Sequence, residues 1–335
     1  MSTAATPVPA LGPDAGPARR RDLRRLLDRF GDGFLYGICA LAAVLAGATL
    51  VLIGYQVIHG AAPSISKFGL GFVFHTAWQP NPPFEEFGAG TLLFGTMVTS
   101  VFALFLGAPI AVSIGLFLSL LAPKGVSRVI SPLVEMLAAI PSVILGFWGI
   151  LVLAPFVHEH IEPFLHDKLG FIPLFGPPQT TGASVFTASL ILTIMVVPII
   201  ASISRDLFLS VPKDIQDGAS ALGATRWEVV RGVVLPSTAS GVIAASLLGL
   251  GRALGEAIAV TQVIGAGSEI HASLFETGDT LAGRIANQFP GAITQLHQAS
   301  LFYLGVILLV IGVVSNIGAQ WVGRRFDVTR KVAPR

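Results

Sequence analysis

Six uninterrupted apolar blocks lie at about residues 34–58, 91–118, 129–155, 183–204, 237–265 and 299–322. Each reaches the roughly 20 residues that a helix needs to cross a bilayer. Lipid offers the backbone no hydrogen-bond partners, so such segments cross as helices that satisfy their N–H and C=O groups internally. With 53% hydrophobic and only 12% charged residues, the chain reads as an all-α integral membrane protein with six transmembrane helices.

The connecting segments carry the sign of the topology. Placing the N-terminus inside puts the basic clusters at 19–29, 124–128, 205–231 and 324–335 in the cytoplasm, which accounts for seventeen of the twenty-one Lys and Arg residues. Lys67, Lys168 and Arg284 fall outside, and Arg252 alone is left within a span. Both termini are therefore expected to be cytoplasmic. The division that follows is a tail at 1–33, a transmembrane domain at 34–323 and a second tail at 324–335. The N-terminal stretch is Pro/Ala-rich and then basic, and the block after it is long enough to span, so it reads as a retained first helix rather than a cleaved signal. A net charge of +2 gives no reason to expect a nucleic-acid partner, and the single cysteine, Cys39, has no internal partner for a disulfide.

The external segments show no independent domain. The first, from His59 to Thr91, mixes Pro, Gly and aromatic residues as a compact surface loop does. The second contains "HEHIEPFLHDKLG"; its histidines fix no further ligand by spacing, and no metal site is expected there.

The cytoplasmic segment 205–236 is more informative. Ile215, Ala219 and Leu222 fall at i, i+4 and i+7, giving a short helix a narrow apolar stripe. Pro212 suits its first turn and Gly223 a left-handed turn at its end. Thr225 and Glu228 then form a T-x-x-E capping box that starts a second helix toward the membrane. A well-capped connector would explain this much, although its length exceeds that of an ordinary link between spans.

Within the fifth block, "SLLGLGRALGEAIAVTQVIG" carries Arg252 and Glu256. Each charge costs roughly 2.5 to 3.5 kcal/mol at the centre of a spanning helix. An uninterrupted helix from Pro236 would put Arg252 about 24 Å along its axis, past the midplane, with Glu256 on the same face. Gly249, Gly251 and Gly255 would keep that neighbourhood thin. Two readings stand: a structural ion pair that fixes packing, or a guanidinium fork offered to an oxyanion with a carboxylate balancing its charge. Glu135, near the cytoplasmic end of the third block, reads as a residue reaching the interface, with a contact to a partner or a gating pair as the alternative. Pro141 in "AAIPS" is expected to kink that span.

The stretch "DGASALGATRWEVVRGVVLP" resembles the EAA loop of ABC importer permeases, whose pattern is E-A-A, three residues, Gly, nine residues, Ile, one residue, Leu-Pro. Ala219, Gly223, Leu235 and Pro236 fall in register, and Val233 stands for the Ile. Asp217 stands where Glu is usual, and Gly218 where Ala is usual. "EMLAAIPSVILGFWGILVLAPF" and "LGLGRALGEAIAV" are similar to the phosphate-uptake permeases of the Pst system, and "GRALGE" looks more like its PstC-type subunit than its PstA-type partner; Ala257 stands where Thr is common. The resemblance covers roughly residues 85–320.

What the resemblance implies is a type I ABC importer permease fold in a bacterial inner membrane. Asp217, Gly218, Ala219, Gly223, Leu235 and Pro236 would couple to an ATPase, and Arg252 and Glu256 would line the pathway for inorganic phosphate. The chain contains no G-x-x-x-x-G-K-[ST] loop, so it is expected to be no enzyme and to hold no cofactor. ATP and Mg2+ would be used by a PstB-type ATPase dimer, beside a PstA-type second permease and a PstS-type phosphate-binding protein. Another tetrahedral oxyanion, sulfate or molybdate, is the alternative cargo. An ATPase-independent secondary transporter or channel is the alternative class, although no internal repeat is evident.

Overall fold

The computed structural model describes residues 18–179 and 181–325, with side chains from Asp32 to Trp321 apart from Thr180 and Ala319. Residues 1–17 and 326–335, which belong to the two tails expected above, lie outside the described residues. In chain order the helices are α1 (Ala18–Phe68), α2 (Gly90–Leu116), α3 (Lys124–Ala138), α4 (Ser142–Leu169), α5 (Val185–Ser210) and α6 (Lys213–Ala221). They continue with α7 (Arg226–Gly255), α8 (Ile258–Val263), α9 (Leu281–Gln288) and α10 (Gln295–Arg325). Two short strands, β1 (Trp78–Gln79) and β2 (Glu86–Phe87), pair antiparallel with Trp78 opposite Phe87. Six of these helices, α1, α2, α4, α5, α7 and α10, are long and apolar enough to cross a membrane.

The chain divides into two compact units after Gln56. The first holds the larger part of α1, whose apolar side chains from Phe34 to Ile53 are exposed, as suits a helix in contact with lipid. The second unit runs from Val57 and holds the remaining elements.

At the centre of the second unit is α5. Of its most apolar stretch 67% is buried, against 28% at most in any other span, so it is the most enclosed of the spans. Its sequence explains why. Ala188, Ser189, Thr193 and Ser204 are small enough for neighbours to approach, and Ser189 and Thr193 return their hydroxyls to carbonyls one turn back, at 2.7 and 2.8 Å. Ile191, Met195 and Ile200 then pack with Ala103 and Ala111 of α2, Val157 of α4 and Ala245 of α7. Close approach is also required at Gly249, where an added Cβ would lie 2.8 Å from Ile200.

Three expected boundaries are corrected, the first being the end of α1, which continues as helix to Phe68, ten residues past the expected 58. The third span is α4, residues 142–169, rather than 129–155. Pro141 does not kink a continuous helix; it caps the start of α4, because proline pushes the residue before it out of the helical region and α3 ends at Ala138. The histidines of "HEHIEPFLHDKLG" accordingly sit on the last turns of α4 rather than in a loop. There Glu162 is fully buried, with its carboxylate 3.4 Å from His158 Nδ1 and accepting from Ser184 Oγ at the start of α5. The fifth span begins at Arg226 and its helix stops at Gly255 rather than running from 237 to 265.

Alternating crossings bring the connections after α1, α4 and α8 to one end of the bundle, where they bind each other. Leu274 donates to the Leu174 carbonyl at 2.9 Å, and Trp78 Nε1 to Gln288 Oε1 at 2.7 Å. Arg284 reaches across to Asp279 at 2.7 Å and lies over the Trp78 ring at 5.5 Å. Burial pushes the Asp279 carboxyl up from its ordinary value, while Arg284 and the Thr280 N–H pull it the other way. Arg284→Met is expected to lower stability by about 3–5 kcal/mol, because it strands a buried carboxylate. Thermal unfolding in detergent should show a clear fall in melting temperature that adding Asp279→Asn largely restores.

Candidate functional site

The site is carried by α7, from its capped start to its abrupt end. Thr225 accepts from the Glu228 N–H, and the Glu228 carboxylate accepts from the Thr225 N–H at 2.7 Å, so the helix starts at Arg226 with a reciprocal cap. Further on, Pro236 supplies no N–H and its ring crowds the carbonyl one turn earlier. The helix accommodates it with a wider π-type turn over Val230–Val234 and resumes at Leu235.

Before the cap lies the predicted helical hairpin. Gly223 closes α6 with φ of +91°, a conformation that L side chains rarely adopt, and its N–H donates to the Ser220 carbonyl at 3.0 Å. Asp217 and Gly218 are exposed and Ala219 is half-buried. Ile215, Leu222 and Trp227 are large apolar side chains left 54%, 92% and 64% exposed around the turn, a patch that calls for cover. Leu235 is different: it packs inward against the cluster of Phe208, Val211 and Val234, so it holds the root of the hairpin rather than its surface. Pro236 is exposed at the same level.

At the far end of α7 the expected geometry changes. Glu256 has extended backbone, with φ −73° and ψ 120°, so it is not one helical turn above Arg252 on a shared face. Gly255, a poor helix former, precedes the break. No ion pair joins Arg252 to Glu256 among the described residues. Each charge instead sits at a helix end of suitable sign. Arg252 is in the last turn of α7, where the carbonyls carry partial negative charge, and Glu256 Oε1 accepts from the Ala259 N–H at the start of α8, at 3.4 Å.

Both side chains nevertheless line one cavity of about 1110 Å³, formed by α7 with α10 and the flank of α5. The three glycines divide their labour: Gly249 seats α7 on Ile200, whereas Gly251 and Gly255 meet nothing within 4 Å and open onto the cavity. Sequence reasoning missed the rest of the polar lining, Ser240 on α7 and Ser315, Asn316 and Gln320 on α10. The available signal was the recurrence of polar residues on one side of the last apolar block.

Glu135 is also placed differently from expectation. It lies on α3, outside any span, and pairs with Arg205 of α5 at 2.9 Å; Arg205 in turn holds Asp206 at 2.9 Å. The pair ties α3 to the end of α5 nearest the hairpin, leaving neither residue in the cavity.

Comparison with known proteins gives consistent results. Residues 103–328 match the family described as binding-protein-dependent transport system inner membrane component. The chain is 44% identical over 275 residues to the phosphate transport system permease protein PstC of Haemophilus influenzae, covering 81% of this chain and 86% of that one. With PstC of Mesorhizobium japonicum it shares 38% over 321 residues, covering 94% and 97%. Among solved structures, a bacterial ABC transporter involved in the import of the acidic polysaccharide alginate aligns with a TM-score of 0.58 at 17% identity, over 90% of this chain and 99% of that one. The MetNI methionine ABC transporter in an inward-facing conformation aligns with a TM-score of 0.52 at 20% identity, over 70% and 96%. At such identities the structural likeness speaks for the fold alone.

Proposed function

The chain belongs to the family of binding-protein-dependent transport system inner membrane components and has the type I ABC importer permease fold, and from that premise we propose that it is the PstC-type permease subunit of an ATP-driven importer of inorganic phosphate. Kinship with PstC proteins over four-fifths or more of the chain supports the cargo. The observation that carries the mechanism is Arg252, a permanently charged fork without an ion-pair partner among the described residues, opening into a cavity at the depth of the spans. A guanidinium so placed needs either water and protein or an anion; lipid satisfies neither.

The partners follow from what the chain leaves uncovered. The polar groove between α7 and α10 suits a second, PstA-type permease as its other wall, so that the pathway runs between two subunits. The patch of Ile215, Leu222 and Trp227 suits a groove on a PstB-type ATPase, and two such subunits would use ATP and Mg2+. A PstS-type binding protein would deliver phosphate at the opposite end, outside a bacterial inner membrane. Nucleotide binding would draw the coupling helices together and open the path outward, and hydrolysis would reset it.

Co-purification with an ATPase subunit, followed by reconstitution in liposomes, tests this reading. Phosphate uptake that requires internal ATP, and that excess sulfate or molybdate leaves intact, is the expected result. Competition by those anions would move the cargo to another oxyanion. Transport by this single chain without an ATPase would replace the importer with a secondary transporter or channel.

A further inference from the structure

The groove contains more than its two charges. On α10 the large apolar side chains Val310, Val314 and Ile317 are exposed on the side away from the groove, as suits contact with lipid. Gly312, Ser315, Asn316 and Gln320 fall at i, i+3, i+4 and i+8, and all four line the groove. Asn316 lies within the sixth span, where a carboxamide is expensive in hydrocarbon, so this stripe suits a polar groove.

Hydrogen bonding leaves donors available in the same groove. Three other hydroxyls on α7 return to their own helix: Ser237 donates to Val233, Thr238 to Val234 and Ser246 to Val242, at 2.6, 2.8 and 2.9 Å. Ser240 and Ser315, the two serines that line the groove, have no such partner among the described residues. Gln320 Nε2 donates to Asn316 Oδ1 at 3.1 Å. That bond occupies the carboxamide oxygen that would repel an anion and leaves the Asn316 NH2 as a donor.

Position along the helices gives the stripe its place. Consecutive spans run in opposite directions, so the C-terminal part of α10 lies along the N-terminal part of α7, on the Ser240 side. Ser240 is twelve residues before Arg252, or about 18 Å at the helical rise, several hydrogen-bond lengths from the guanidinium.

We propose that Ser240, Ser315, Asn316 and Gln320 form a second, uncharged anion station in the groove, which receives phosphate after Arg252 and passes it toward the hairpin end. The proposal rests on the pathway reading above and extends it. A guanidinium binds a phosphate through charge-assisted bonds and releases it slowly unless a weaker site competes. Neutral hydroxyl and carboxamide donors provide that weaker site, and the absence of a carboxylate among these four keeps it open to an anion.

The single cysteine makes a direct test practical. In the assembled, reconstituted importer carrying Cys39→Ser, reporter substitutions Asn316→Cys and Gln320→Cys are exposed to a small anionic thiol reagent with and without inorganic phosphate. Both should react, with phosphate slowing the reaction by about tenfold, a difference one occupied site readily produces. Val314→Cys, on the opposite side of α10, should show no phosphate protection. Separately, Ser315→Ala, Asn316→Leu and Gln320→Leu together should lower phosphate uptake about tenfold, as loss of several neutral hydrogen bonds implies, while the complex still assembles and hydrolyses ATP. Modification that phosphate does not slow, in a complex whose uptake still depends on Arg252, overturns the station and leaves the groove. Uptake that does not depend on Arg252 overturns the pathway reading on which the station rests.

Discussion

Arg252→Gln is expected to lower phosphate uptake by the reconstituted importer at least about tenfold, while the complex still assembles and hydrolyses ATP. The magnitude follows from the roughly 1.5–3 kcal/mol carried by a hydrogen bond to a charged group. Gln keeps much of the length and part of the hydrogen-bonding capacity, so packing is disturbed little and the change isolates the charge and the fork. Arg252→Lys separates these two: it restores the charge but not the bidentate geometry, and uptake should recover only in part. Glu256→Gln is informative in the opposite sense. It removes the negative charge from the same cavity, so an anion should bind more tightly and leave more slowly, lowering turnover with a lower half-saturating concentration. A purely structural pair predicts something else, namely loss of assembly in every variant. Unaltered uptake by Arg252→Gln would remove the guanidinium from the pathway altogether.

Why the charges are tolerated at that depth is a matter of backbone, and the backbone was the part least legible in the sequence. Hydropathy identifies the second, fourth and sixth spans to within several residues, because each is an unbroken apolar run with charges beyond its ends. It fails where an apolar run contains a break. Residues 129–155 read as one block, yet Pro141 divides them between an amphipathic α3 and the true span α4. The same error recurs at Gly255 and Glu256: apolar residues continue to Ile264, but the helix does not. A continuous helix would have placed Arg252 and Glu256 in register and favoured mutual neutralisation. The break instead gives each charge its own helix end and leaves both facing the cavity.

Short-range chemistry proved more legible. The Thr225–Glu228 cap and the left-handed Gly223 were both readable from residue type and spacing, since local hydrogen bonds and steric limits decide them. Leu235 shows the limit of motif reading. It belongs to the same sequence signature as the exposed Asp217, but it serves as an internal anchor against Phe208 and Val234. Ser240, Ser315, Asn316 and Gln320 escaped notice because neutral polar residues scarcely lower the hydropathy of a long apolar block. Only their common face, set by how α7 meets α10, distinguishes them.

Gly223→Pro should uncouple the importer: basal ATP hydrolysis persists, stimulation by loaded binding protein is lost, and uptake falls at least about tenfold, the consequence of more than about 1.4 kcal/mol of lost coupling. Proline holds φ near −65°, which cannot meet the +91° found here, and it removes the N–H that Gly223 donates to Ser220. The turn between α6 and α7 must therefore rearrange, and with it the relative placement of Ile215, Leu222 and Trp227. Gly223→Ala is the graded control, because a non-glycine residue in the left-handed region costs about 1–2 kcal/mol and should weaken coupling without abolishing it. The effect is expected to be large because α7 runs as one helix from Arg226 to Gly255. Thirty residues at the helical rise span about 45 Å, so the element that begins at the coupling turn ends beside the guanidinium. A small rotation imposed at the hairpin must then appear at Arg252, unless the π-type turn before Pro236 absorbs it. Binding-protein stimulation that survives Gly223→Pro at wild-type level would mean that force enters the permease elsewhere.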